Sequence, residues 1–151
     1  MDHISQRTQV AMLYRWVLSR WEKYLIFPIK NPSYYQVAGL VLSVVYLYVS
    51  SLVWQSILIG VILLFDWMDG AAARKYKVTG KKGWMIDVCV DRVSEGFIYL
   101  SALFSRLGTI FFLLYLCNIM LSLYSVKSGK HILLPLRFAW LLILIYRVWI
   151  I

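Results

Sequence analysis

Acidic side chains are scarce in this chain, seven Asp and Glu among 151 residues against sixteen Lys and Arg. Asp2 and Glu22 lie in the N-terminal segment, and no acid follows until Asp66. Cysteine is rarer still. Cys89 and Cys117 stand far apart in apolar surroundings with no CxxC or metal-ligand spacing, which excludes a disulfide scaffold and a thiolate zinc site. The first 24 residues mix polar and aromatic side chains without a compact apolar run, so no cleavable signal is expected. The largest gap is in charge itself. From Asn31 to Phe65, 35 residues carry none. That run is too long for one membrane crossing of about 20 residues and too apolar for a surface in water.

What is present fits the same conclusion. The chain is 62% hydrophobic, with a mean hydropathy of +0.72, whereas a soluble domain is roughly 45–50% apolar. Seven Trp and eleven Tyr suit two interfacial belts. The net charge of +9 comes largely from Lys and Arg flanking apolar segments. Anionic head groups or a phosphate-rich substrate therefore suit it better than nucleic acid, which is not expected as a partner.

The pattern predicts an all-α polytopic bundle of about five membrane helices. Residues 1–32 form a juxtamembrane segment and 33–151 the transmembrane domain. Within the first part, residues 5–25 read as an amphipathic helix with Val10, Leu13, Val17 and Trp21 at 3–4 spacing. It lies on the membrane face or docks on the rest of the protein. Prolines 28 and 32 break the chain. The expected membrane helices cover 33–50, 52–75, 84–104, 109–125 and 132–151, with a fold-back near Ser50-Ser51. Basic loops at 74–83 and 127–131, together with the basic N-terminal segment, place these three regions inside. The expected setting is a multi-pass cell-membrane protein with its site on the cytoplasmic side.

Five of the seven acids fall within or at the ends of apolar segments, where a carboxylate is costly and marks function by default. They are Asp66, Asp69, Asp87, Asp91 and Glu95. Asp66 and Asp69 are i,i+3 and share a helix face, as do Asp87 and Asp91 at i,i+4. Gly70 and Ala73 continue the first face with almost no side chain. Four ionised carboxylates cannot gather in low dielectric without a counter-charge. A divalent cation resolves this, and oxygen-only ligands indicate Mg2+ or Mn2+ rather than zinc. Arg74 and the lysines after it offer charge for phosphate.

The run D-x2-D-G-x2-A-R-x8-G-x3-D-x3-D fills every fixed position from Asp66 to Asp91. It closely resembles the signature of the CDP-alcohol phosphotransferase family, also called CDP-alcohol phosphatidyltransferases. The resemblance implies that Asp66, Asp69 and Asp87 hold metal with Asp91 beside it. It makes Asp91 the general base, and Asp66, Asp69, Gly70, Ala73, Arg74 and Gly83 the CDP site. The implied reaction is attack of an acceptor hydroxyl on the β-phosphorus of a CDP-linked lipid, releasing CMP, in a homodimeric phospholipid-biosynthesis enzyme. Asp91-Arg92 looks like members that use inositol phosphate or a similar polyol phosphate. Arg92, Lys130 and Arg137 are the candidates for binding that phosphate. Arg92 can equally pair with Glu95 at i,i+3, and Lys130 can snorkel to the interface. Arg137, expected about one and a half turns into its helix, needs a partner at that depth. Two features differ from similar proteins. Those usually have six membrane helices, and they tend to show Asn-x-x-Thr-x-x-Gly where this chain has Ser33, Gln36 and Gly39. Glycerol 3-phosphate or another alcohol as acceptor, and a non-catalytic cation binder or transporter, are the competing readings.

Overall fold

The computed structural model describes residues 31–76, 80–128 and 134–150, without the side chains of 81 and 82. The expected N-terminal amphipathic helix and Lys130 lie outside the described residues. Five helices and no strand make up the described part: α1 Ser33–Tyr46, α2 Leu52–Lys75, α3 Lys81–Ala102, α4 Arg106–Ser128 and α5 Leu136–Ile150.

Local chemistry sets each boundary. Before α1, the Asn31 side chain accepts the Ser33 N–H at 3.1 Å, and Pro32 fits where an N–H would have no helical partner. The α-helix expected through residue 50 stops at Tyr46. The chain then tightens, with Leu47, Tyr48 and Val49 N–H bonding three residues back at 3.0–3.2 Å, as helix ends often do. The bounds of α2 are those expected. Helix α3 starts three residues before the expected position, because Gly80 is extended and its carbonyl accepts the Trp84 N–H at 3.0 Å. Ser105 caps α4, its Oγ accepting the Gly108 N–H at 3.0 Å. A side chain at Gly108 would overlap the Ala102 carbonyl, so only glycine lets the α3–α4 connection close this tightly. Helix α5 begins after Pro135, whose carbonyl takes the Ala139 N–H at 3.1 Å. That is four residues later than expected.

Helix α1 packs against both α2 and α3, α5 against α2, and α4 against α3, with a slighter contact between α4 and α5. The short α2–α3 loop suggests direct neighbours, yet these two helices barely touch. A cleft separates them, and the carboxylates face it. One core cluster joins Tyr46, Ile59, Ile62, Ile98, Tyr99, Phe111, Leu136, Trp140 and Leu144. Within it Trp140 Nε1 donates to Tyr46 Oη at 3.1 Å, which ties α5 to the end of α1. Phe111 and Trp140 rings lie 4.9 Å apart. A smaller cluster of Tyr35, Ala71 and Ala72 closes the bundle beside the acids.

Two helices, α2 and α4, are long and apolar enough to cross a membrane, and only 28% and 22% of their most apolar stretches are buried by the protein. Phe104, Tyr48 and Trp149 are almost wholly exposed. Apolar surface on this scale marks contact with lipid or protein.

A carboxylate cleft between two helices

Asp66 and Asp69 reach the cleft from α2, and Asp87 and Asp91 from α3. One oxygen each from Asp66, Asp69 and Asp87 lie within 4.8 Å of one another. Asp69 is buried and the other two are half-buried. The donor set is three hard oxygens. Oxygens on one Mg2+ at about 2.1 Å are at most about 4.2 Å apart, so small rotations of these side chains suffice to share an ion. The chemistry and spacing fit a divalent cation.

Asp91 has a different neighbour. The Arg137 guanidinium forms an ion pair with Asp91 Oδ1, and the same nitrogen lies 3.9 Å from Asp66 Oδ1. Arg137 is the second residue of α5 rather than one and a half turns in, and it is buried at 6% exposure. The partner that its depth demanded is therefore carboxylate. Its Nε faces Glu95 Oε1 at 3.6 Å. Arg92 takes the i,i+3 alternative, its Nη1 at 2.7 Å from Glu95 Oε2. The cluster thus holds five carboxylates against Arg92 and Arg137, and three negative charges have no guanidinium of their own.

Arg74, on the exposed end of α2, folds back over Gly70, where an added Cβ would meet Arg74 Nη1 at 3.2 Å. Ala73 is half-buried on that face, and Gly83 is exposed in the first turn of α3. None of these four residues is among those that line the cavity beside the acids.

Sequence reasoning missed three contributors. In the sequence Gln36 stands out only as a departure at its position. It is the α1 residue that reaches the acids, its Nε2 donating to Asp87 Oδ1 at 3.1 Å. Glu95, counted but given no role in the site, is the buried acceptor that both arginines share. Asn118 on α4 is fully buried and exchanges two bonds with the Leu134 backbone. Its Nδ2 donates to the Leu134 carbonyl at 3.2 Å, and its Oδ1 accepts the Leu134 N–H at 3.1 Å. The same Nδ2 lies 3.3 Å from Glu95 Oε2. This pins the start of α5, and so Arg137, to α4 and α3. A lone Asn in an apolar helix was the available clue, since a buried amide must find partners.

A small cleft opens beside these groups, lined by Gln36, Asp66, Asp69, Asp91, Ser94 and Arg137 together with apolar residues of α1, α2 and α3.

Residues 33–150 match the CDP-alcohol phosphatidyltransferase family. No curated protein and no solved structure matches the chain. Members of this family transfer a phosphatidyl group from a CDP-alcohol to an alcohol, are generally dependent on divalent cations and are membrane-associated.

Proposed function

The chain belongs to the CDP-alcohol phosphatidyltransferase family and is a phosphotransferase, and we propose from that premise that it makes a phospholipid from CDP-diacylglycerol and a polyol phosphate of the inositol phosphate type. The observation that carries this reading is the convergence of Asp66, Asp69 and Asp87 within 4.8 Å, with Asp91 and the buried Arg137 beside them.

In this reading Asp66, Asp69 and Asp87 hold Mg2+ or Mn2+. A bound cation there neutralises the donor diphosphate and the departing phosphate. Gly70, Ala73, Arg74 and Gly83 take the CDP moiety. Asp91 removes the proton from the acceptor hydroxyl. That oxygen bonds to the β-phosphorus, the bond from this phosphorus to the bridging oxygen breaks, and CMP leaves with the bridging oxygen. Arg137 spends one carboxylate oxygen of Asp91 and leaves the other for the hydroxyl, since an ionised carboxylate offers about four acceptor positions. Its remaining donors face the acceptor phosphate. Arg92, held by Glu95, completes the basic side, and Lys130, outside the described residues, is a further candidate for the same phosphate.

The membrane arrangement proposed is five crossings by residues 33–151, with residues 1–32 at the surface and the carboxylate end on the cytoplasmic side. The basic residues flanking the apolar helices support this orientation.

The test is CMP release by protein purified in detergent, given CDP-diacylglycerol and a panel of inositol 1-phosphate, glycerol 3-phosphate, inositol and serine. Release with inositol 1-phosphate is expected in Mg2+ or Mn2+, and its loss in EDTA. Conversion of glycerol 3-phosphate alone would replace the acceptor assignment. Cation flux into vesicles without nucleotide turnover would replace the enzymatic reading.

A further inference from the structure

Most helical serines of this protein whose bonds are defined satisfy their hydroxyls on their own helix. Ser43, Ser56, Ser101 and Ser122 each donate to a carbonyl three or four residues back at 2.7–2.8 Å. In apolar surroundings that is the expected solution, because no water replaces a missing partner. Ser94 does not adopt it. The residue is 2% exposed, its Oγ has no hydrogen-bond partner among the described residues, and it lines the cleft beside Asp91 and Arg137. A buried hydroxyl without a partner costs about 1–3 kcal/mol and needs an explanation.

We propose that Ser94 binds a second hydroxyl of the acceptor, next to the one that reacts, and so selects a vicinal diol. The proposal rests on the functional reading above and narrows its acceptor class. Position along α3 separates the two substrates. Ser94 is seven residues from Asp87, roughly 10 Å along the helix, but three residues from Asp91, roughly 4.5 Å. It therefore sits away from the carboxylates that face the donor diphosphate and one turn beyond the base. A hydroxyl held at Asp91 brings its neighbour toward Ser94. The apolar part of the cavity lining is Leu40, Ile62 and Val90, and Ser94 is the one hydroxyl-bearing aliphatic side chain among its lining residues. A site built this way rejects an analogue lacking the matching hydroxyl far more strongly than an apolar pocket rejects a missing methylene. Inositol phosphate and glycerol 3-phosphate both carry the required pair of hydroxyls, and serine does not.

The experiment uses full-length protein in detergent with CDP-diacylglycerol and Mg2+. Inositol 1-phosphate and glycerol 3-phosphate are each compared with the analogue lacking the hydroxyl beside the reacting one. For glycerol 3-phosphate this is 3-hydroxypropyl phosphate. Wild-type protein is expected to prefer the diol by tenfold or more in kcat/KM, in line with one hydrogen bond lost at a buried site. Ser94→Ala should lose about tenfold on the diol, through the acceptor KM, with little change on the analogue and none in the donor KM. The preference then collapses, and Ser94→Thr, which keeps the hydroxyl, restores it. Equal wild-type turnover of diol and analogue overturns the proposal without any variant. So does a Ser94→Ala protein that keeps the full preference. CMP release with serine but no diol overturns it too, while leaving the phosphotransferase intact. No CMP release with any acceptor removes the functional reading, and this proposal with it.

Discussion

Asp91→Asn is expected to slow CMP release by about 10²- to 10⁴-fold, the usual contribution of a positioned base, and to leave the protein folded. The substitution preserves size and an oxygen that can accept from Arg137, so the ion pair becomes a weaker hydrogen bond rather than a void. What is lost is the ability to take a proton. Asp91 differs from the other three aspartates in its surroundings. One oxygen of each of those three lies within 4.8 Å of the others, whereas Asp91 is the aspartate that Arg137 engages most closely, Asp66 lying farther from it at 3.9 Å. A cation bound by the other three should therefore remain, and binding of CDP-diacylglycerol should change little. Single-turnover CMP release with a preloaded donor checks this. A rate near wild type would remove Asp91 from the role of base.

Arg137→Met should have the largest effect on stability, a loss of about 3–5 kcal/mol, because removing one partner of a buried ion pair strands the opposite charges. Arg137 is the only guanidinium against Asp91 among the described ion pairs, and it also faces Asp66 and Glu95. Its methylene stem is replaced by the Met side chain, so the loss reports charge rather than packing. Two comparisons distinguish this from a general defect. Adding Asp91→Asn to Arg137→Met removes the stranded carboxylate and should recover part of the melting temperature, whereas unrelated sites would add. Mg2+ should also raise the melting temperature more in Arg137→Met than in wild type, since the cation then compensates charge that Arg137 otherwise covers. A variant that melts like wild type, with or without Mg2+, would mean that the buried guanidinium carries no such burden.

The parts of this site legible in the sequence are those set within a single helix. Asp66 and Asp69 share a face because three residues nearly complete a turn, and Asp87 and Asp91 follow for the same reason. The bounds of α2 were readable from the uncharged run that precedes Asp66 and the Arg74-Lys75 pair that ends it. The separation of α2 and α3 was not readable. A short loop implies contact, yet α2 and α3 make little direct contact and α1 packs against both. Gln36 reaches Asp87 across 51 residues of sequence, and no periodicity in either helix encodes that pairing. The Glu95–Asn118 contact is hidden in the same way. Each residue looks like an isolated polar group in an apolar helix until the fold joins them. Arg137 was legible as a residue in need of a partner, but not as one paired with the base. Its place depends on Pro135 starting α5, a local effect, and on Asn118 fixing Leu134, a tertiary one.

The central claim is that carboxylates from α2 and α3 share a divalent ion that also meets the donor diphosphate. Electron paramagnetic resonance of Mn2+ bound to the purified protein tests it most directly. Mn2+ should bind to wild type, gain a ³¹P hyperfine coupling when CDP-diacylglycerol is added, and fail to bind when Asp66, Asp69 and Asp87 are all changed to Asn. Full Mn2+ binding by that triple variant, or a wild-type spectrum with no phosphorus coupling in the presence of donor, would contradict the account.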